Sequence, residues 1–157
     1  MADKIKSIPE GPRAITPYLT CRDATRAIDF YKRAFGAVET MRLADSEGRI
    51  GHAELLIGGS PIMLSDEHPD FDAISPQTLN GTSVAIHLYV EDVDAVFNRA
   101  VAAGAKAARP LRDEFYGDRT CTVVDPFGHR WFIASRIEDV SADEMRRRYE
   151  ALTGEKA

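Results

Sequence analysis

Residues 15–23 read Ile-Thr-Pro-Tyr-Leu-Thr-Cys-Arg-Asp, and residues 84–92 read Val-Ala-Ile-His-Leu-Tyr-Val-Glu-Asp. Each stretch is a run of strand-forming residues that ends at an aspartate, a residue type that caps the open N–H groups at the start of a helix. Apolar residues at helical spacing follow both aspartates, and both helical segments end at a glycine, Gly36 and Gly104. The chain therefore repeats one strand–helix design.

Three strand-forming runs separated by turns follow each predicted helix. They cover 38–43, 50–57 and 61–65 in the first half, and 107–111, 119–124 and 130–135 in the second. The predicted fold class is α+β, with two tandem βαβββ modules. Ser141 and Glu144 form a capping box that predicts a C-terminal helix. We expect a single domain made of module one at 12–66, a linker at 67–82, module two at 83–137 and a helix at 141–152.

Composition excludes several classes of protein. Of 157 residues, 44% are hydrophobic and 29% are charged, and no apolar run approaches the roughly 18 residues of a membrane span. The polar start lacks a secretory signal, which favours a cytoplasmic location. The formal charge of −5 with no basic stripe argues against nucleic acid as a partner. Two cysteines are too few for a disulfide framework and are expected to be reduced.

Three motifs carry a resemblance to a known family. They are Ala27-Ile28-Asp29-Phe30-Tyr31 with Phe35-Gly36, Glu91-Asp92-Val93-Asp94 with Ala103-Gly104, and Asp125-Pro126-Phe127-Gly128-His129. Over about residues 12–137 the chain resembles the vicinal oxygen chelate superfamily of glyoxalase I, extradiol dioxygenases, and fosfomycin and bleomycin resistance proteins. The resemblance implies that the two modules form a U-shaped cleft around a small molecule, with the helices outside. It also implies a homodimer.

The resemblance also locates the positions where catalytic members place metal ligands. Here these positions hold Thr16, Met63, Ala85 and Phe132. A divalent ion of hard or borderline type needs imidazole or carboxylate donors, which none of these residues supplies. We therefore expect no metal and no other cofactor.

Strand alternation and the repeat select ligand-binding candidates. Tyr18 and His87 are equivalent positions on the cleft side of their strands. The Asp-Pro-x-Gly turn sets the register of the last strand, which places Phe132 on the cleft side as well. Trp131 adds aromatic surface of the kind that ligand pockets use. A satisfied core histidine at His87 and core packing of Trp131 are the alternatives.

His52 and Glu54 share a strand face opposite an apolar one, so they are also candidates for the cleft. With His87 they could form a displaced metal site, Glu54 could act as a base, or they could be a solvated pair at the rim. Arg119 could anchor an anionic or carbonyl group, or pair with a nearby acid. Tyr116, in a loop before that strand, could stack over a ligand.

Two classes of function fit these residues. The first is a protein of the bleomycin-resistance type that binds an aromatic or amphipathic small molecule without a metal. The second is a lyase, isomerase or dioxygenase-type enzyme that uses His52, Glu54 and His87 with or without a divalent metal. The sequence does not identify the ligand.

Overall fold

The computed structural model describes residues 5–11 and 13–154. The chain divides into two compact units, a first that ends at Gly81 and a second that starts at Thr82. Within the described residues, no helix is long and apolar enough to cross a membrane.

The first unit is one βαβββ arrangement. Its elements are β1 (Tyr18–Cys21), α1 (Ala24–Phe35), β2 (Val38–Ala44), β3 (Ile50–Ile57) and β4 (Ser60–Asp66). The four strands form a sheet of order β1-β4-β3-β2, in which β1 is parallel to β4 and the other pairs are antiparallel. A 3-10 turn at Pro69–Phe71 and the one-turn helix α2 (Pro76–Leu79) complete the unit.

The second unit repeats the arrangement. Its elements are β5 (Ala85–Tyr89), α3 (Val93–Ala102), β6 (Lys106–Asp113), β7 (Asp118–Val124), β8 (Arg130–Arg136) and the C-terminal helix α4 (Ala142–Gly154). Its sheet has the matching order β5-β8-β7-β6. The predicted α+β fold with two βαβββ modules and a C-terminal helix is confirmed.

Both long repeat helices begin at the aspartates that the sequence selects. The side chain of Asp23 accepts a hydrogen bond from the backbone N of Arg26, and that of Asp92 accepts one from the N of Ala95, each at 3.0 Å. Helix α1 ends at Gly36, whose φ of 67° is left-handed and suits a residue without a Cβ.

The last strand of each unit holds the start of that unit's helix. The backbone N of Ala24 donates to Asp66 Oδ1 at 2.7 Å, and the N of Val93 donates to Ser135 Oγ at 2.9 Å. Because open N–H groups at a helix start need acceptors, these bonds fix each helix against the final strand of its sheet.

Helices α1 and α3 each pack on one face of the sheet of their own unit. In the first unit the covered strand residues include Leu19, Ala53, Leu55, Ile62 and Leu64, all buried. In the second unit they include Cys121, Val123, Trp131 and Ile133. Cys21 and Cys121 are buried and form no disulfide, and burial raises the pKa of the Cys121 thiol to about 11. Both thiols are therefore part of the core.

The segment predicted as a linker at 67–82 is anchored to the first unit. Glu67 Oε1 accepts hydrogen bonds from the backbone N of Ser75 at 2.9 Å and from the hydroxyl of Thr78 at 2.5 Å. These bonds to Ser75 and Thr78 lower the pKa of Glu67 to about 2. A side-chain anchor of this kind leaves no periodicity in the sequence, so the pattern gave no sign of the two helical turns.

Candidate functional site

The first sheet has an outward face, defined here as the face opposite its helix. Tyr18 on β1, Met63 on β4, Glu54 on β3 and Met41 on β2 are register neighbours across this face. Directly opposed residues on neighbouring strands point to the same side of a sheet. Leu43, the partner of His52 in the register, extends the face along β2.

A chain of polar side chains crosses this outward face. Tyr18 Oη lies 2.8 Å from His52 Nδ1, and His52 Nε2 lies 3.2 Å from Glu54 Oε1. Arg13 Nη1 is 3.7 Å from the other carboxylate oxygen of Glu54. The structure thus brings together three of the predicted site residues and adds Arg13, which the sequence does not single out because it precedes the first strand.

The outward face of the first sheet also exposes large apolar side chains. Tyr18 is 50% exposed, Met41 43% and Leu43 60%. They surround the more shielded His52 and Glu54, whose side chains are 25% and 19% exposed. The surface therefore combines apolar area with a few polar groups, which is the composition of small-molecule sites.

The second sheet has an outward face of its own, which carries His87, Tyr89 and Phe132. His87 on β5 lies opposite Phe132 on β8. The rings of His87 and Tyr89 are 4.7 Å apart between centroids, and Tyr89 and Phe132 are 54% and 40% exposed. His87 is exposed too, so the structure places it outside the core.

Asp118 on β7 is the hydrogen-bond partner of Tyr89 on this second face. The hydroxyl of Tyr89 donates to Asp118 Oδ2 at 2.6 Å, and Asp118 is only 3% exposed. This hydrogen bond raises the pKa of Tyr89, because the carboxylate stabilises the protonated phenol. Sequence reasoning missed Tyr89, although strand alternation from His87 gives it the same face.

Arg119 and Trp131 lie on the helix-facing side of the second sheet. Arg119 forms paired hydrogen bonds with Asp94 of α3 at 2.9 and 3.0 Å and contacts Asp113 at 3.0 Å. Trp131 is 1% exposed, and its Nε1 donates to Asp125 Oδ2 at 3.0 Å. The structure therefore does not bring these two residues together with His87 and Phe132.

The position of Arg119 follows from a difference in register between the units. Met63 lies opposite Glu54 in the first sheet, whereas Phe132 lies opposite Thr122 in the second. The offset that matches Tyr18 with His87 would match Glu54 with Val123, but the register makes Thr122 the counterpart of Glu54. A shift of one residue turns a strand's side chains to the other face, so the odd-numbered residues of β7 face α3.

Tyr116 is half-buried in the loop before β7 and packs edge-on against Phe115 with 5.2 Å between ring centroids. Burial raises the pKa of its phenol. An open apolar hollow of about 560 Å³ lies beside this loop and is lined by Phe115, Val140, Ala142, Met145, Arg146 and Tyr149. Phe115 rather than Tyr116 thus forms the wall of the hollow.

One protein-family model matches the chain across both repeated units. The model of the Glyoxalase/Bleomycin resistance protein/Dioxygenase superfamily matches residues 14–133. The chain belongs to this superfamily. It is also 44% identical over 136 residues to a protein of Mycobacterium tuberculosis (strain H37Rv) that is described as uncharacterized, with 85% of this chain and 80% of that protein covered.

Solved structures agree with this assignment. TioX from Micromonospora sp. ML1 is 31% identical, with a TM-score of 0.63 over 78% of this chain and 98% of TioX. The fosfomycin resistance protein FosX from Listeria monocytogenes, solved with Mn(II) and sulfate, is 20% identical with a TM-score of 0.61 over 90% of this chain and 99% of FosX. At that identity FosX supports the fold alone.

The resemblance assigns the metal-ligand positions of catalytic members to Thr16, Met63, Ala85 and Phe132 of this chain. Thr16 precedes β1, Met63 lies on β4, Ala85 begins β5 and Phe132 lies on β8. A hydroxyl, a thioether, a methyl and a phenyl group do not fit a divalent ion of hard or borderline type. Across residues 5–11 and 13–154, no three His, Cys, Asp or Glu side chains cluster as a metal site would require.

Proposed function

We propose that this protein binds a flat aromatic or amphipathic small molecule, without a metal ion, on the outward faces of its sheets. The observation that carries the proposal is the exposure of Phe132 and Tyr89 on one sheet and of Tyr18 on the other. Aromatic side chains on a sheet face lose contact with water when a flat ligand stacks on them, and this loss drives binding.

Polar groups on the same faces would orient such a ligand. His87 stands beside Phe132 and has an exposed imidazole, while Tyr18 presents a phenol. A few fixed polar groups within an apolar surface are what give a pocket its specificity. Arg119, Trp131 and Tyr116 are left out of the proposed contacts, since two face a helix and the third packs on Phe115.

The first test uses anilinonaphthalene sulfonate, a fluorescent aromatic and amphipathic probe. His87→Ala is expected to weaken its binding by roughly 1–3 kcal/mol, because a buried hydrogen bond to the ligand is lost. Fluorescence titration gives the affinity, and urea denaturation shows whether the fold is retained.

Met145→Ala is the control for this titration, because Met145 lines the apolar hollow and not the outward face of a sheet. The control should leave affinity unchanged. Weaker binding in Met145→Ala together with normal binding in His87→Ala would place the probe in the hollow and contradict the proposal.

We propose that the purified protein carries no stoichiometric divalent metal. Thr16, Met63, Ala85 and Phe132 support this, as does the hydrogen bond that already joins His52 to Glu54. Elemental analysis of protein purified without chelator is expected to find well under one metal per chain. One bound ion per chain, together with a glyoxalase or dioxygenase activity that chelation abolishes, would instead favour an enzyme that uses His52, Glu54 and His87.

We also propose a homodimer. Helix α4 exposes Met145, Tyr149 and Leu152, which at helical spacing form one apolar stripe. A second copy of the chain would cover such a stripe, since most oligomers are symmetric pairs. Light scattering at micromolar concentration is expected to give twice the monomer mass, and Tyr149→Asp should shift the mass to that of a monomer. A wild-type protein that scatters as a monomer would contradict this.

A further inference from the structure

The hydrogen-bonded side chains on the first sheet have the order of a proton relay. We propose that Tyr18 is a general acid/base residue that exchanges a proton with a carbon acid bound on this face, and that His52 and Glu54 position and relay that proton. The carbon acid would be an aromatic compound with a C–H next to a carbonyl group. This inference rests on the proposed binding of an aromatic ligand.

The hydrogen-bond geometry assigns a role to each atom of the relay. A carboxylate only accepts hydrogen bonds, so the contact of 3.2 Å between His52 Nε2 and Glu54 Oε1 places the hydrogen on Nε2. In neutral imidazole the other nitrogen is then an acceptor, and Nδ1 accepts from the hydroxyl of Tyr18 at 2.8 Å. A hydroxyl, its base and a third group that orients the base are the parts that activate a hydroxyl oxygen in catalysis.

Exposure decreases along the relay from the ligand side inward. Tyr18 is 50% exposed, whereas the side chains of His52 and Glu54 are 25% and 19% exposed. Tyr18 is therefore the member that a ligand on the outward face would touch, beside Met63 and Met41. His52 and Glu54 act through it as positioning residues.

The proton transfer needs no reactant other than the bound ligand and the relay. The bound C–H gives its proton to the oxygen of Tyr18 as the hydroxyl proton of Tyr18 moves to His52 Nδ1. The products are the ligand carbanion, stabilised as its enolate, a neutral Tyr18 and an imidazolium that faces the carboxylate of Glu54. Return of the proton to the same or a neighbouring carbon restores the relay and gives exchange or isomerisation.

The second unit lacks the two inner members of this relay at the matching positions. Glu54 corresponds to Thr122, since these residues lie opposite Met63 and Phe132, and His52 corresponds to Thr120 two residues earlier. Tyr89 contacts Asp118 directly, without an intervening imidazole. The repeated fold thus carries different chemistry on its two outward faces.

The test measures deuterium exchange of β-tetralone in heavy water by proton NMR. This ketone is aromatic and has a methylene between its ring and its carbonyl group. The wild-type protein is expected to accelerate loss of the methylene signal over buffer. Tyr18→Phe and His52→Asn should each reduce this acceleration by about 100-fold, a typical contribution of general acid–base catalysis.

Glu54→Gln is the conservative variant, because its amide oxygen can still accept from Nε2 while the charge is lost. It should fall between wild type and His52→Asn. The control His68→Asn makes the same change at a histidine that lies outside the relay, and should exchange at the wild-type rate. Nitrogen NMR of His52 supplies a readout without ligand: the Nε2–H form is expected, and Tyr18→Phe should shift the Nδ1 signal alone.

No acceleration by the wild-type protein would overturn the proposal, as would full activity in Tyr18→Phe or an Nδ1–H form of His52. The dye titration is a separate measurement, because its variant His87→Ala changes a residue of the second sheet. Binding of the dye without exchange of the ketone would leave the proposed binding function in place and remove the relay. Loss of both would remove both.

Discussion

Asp125→Ala is expected to lower the free energy of unfolding by about 4 kcal/mol. Asp125 is 4% exposed and serves three donors in the turn between β7 and β8. Its Oδ1 accepts from the backbone N of Phe127 at 2.9 Å and of His129 at 3.0 Å, and its Oδ2 accepts from Trp131 Nε1 at 3.0 Å. Removing the carboxylate takes a charged acceptor from all three donors in a buried site, where each loss costs about 1–3 kcal/mol.

Urea denaturation measures the effect, and the fluorescence of Trp131, the single tryptophan, reports on the site. Asp45→Ala is a matched control. Asp45 Oδ1 accepts from the backbone N of Glu47 and of Arg49, both at 2.9 Å, with the same spacing but in an exposed hairpin. Because water replaces those bonds, a loss of about 1 kcal/mol is expected. Equal losses in the two variants would show that burial of Asp125 does not matter.

Gly117→Ala is expected to destabilise the second unit by about 4 kcal/mol through a clash and an unfavourable backbone conformation. Gly117 has a φ of +93°, and a Cβ there would lie 2.5 Å from the carbonyl oxygen of Glu138 and 2.8 Å from Val140 Cγ2. The carbonyl of Gly117 also accepts from the backbone N of Ile137 at 2.9 Å and of Glu138 at 3.0 Å. A methyl group would push apart the two segments that these bonds hold together.

The comparison variant is Gly48→Ala. Gly48 has a similar φ of +84°, but a Cβ there would meet nothing within 4 Å. It should cost only the left-handed backbone term of about 1–2 kcal/mol. Denaturation of both variants separates the close approach from the backbone term. If Gly117→Ala were no worse than Gly48→Ala, the packing of residues 138–140 on Gly117 would be looser than the structure indicates.

Much of the architecture follows from local pattern. The repeat from Ile15 to Asp23 and from Val84 to Asp92 predicts two like units, because strand propensity and helix capping are properties of neighbouring residues. The aspartate caps, the left-handed Gly36 and the helix start at Ser141, whose Oγ accepts from the backbone N of Glu144, are confirmed for the same reason. The face shared by His52 and Glu54 also follows from strand alternation.

The sequence by itself determined the two βαβββ units and the superfamily, since both depend on residue type and short spacing. Only the tertiary structure decided the partners of the candidate residues. It paired Tyr18 with His52 and Tyr89 with Asp118, and it turned Arg119 toward the helix side. The physical reason is register: the longer turn before β8 shifts the pairing of β7 by one residue, and a shift that is local in sequence reverses the side on which a whole strand presents its side chains.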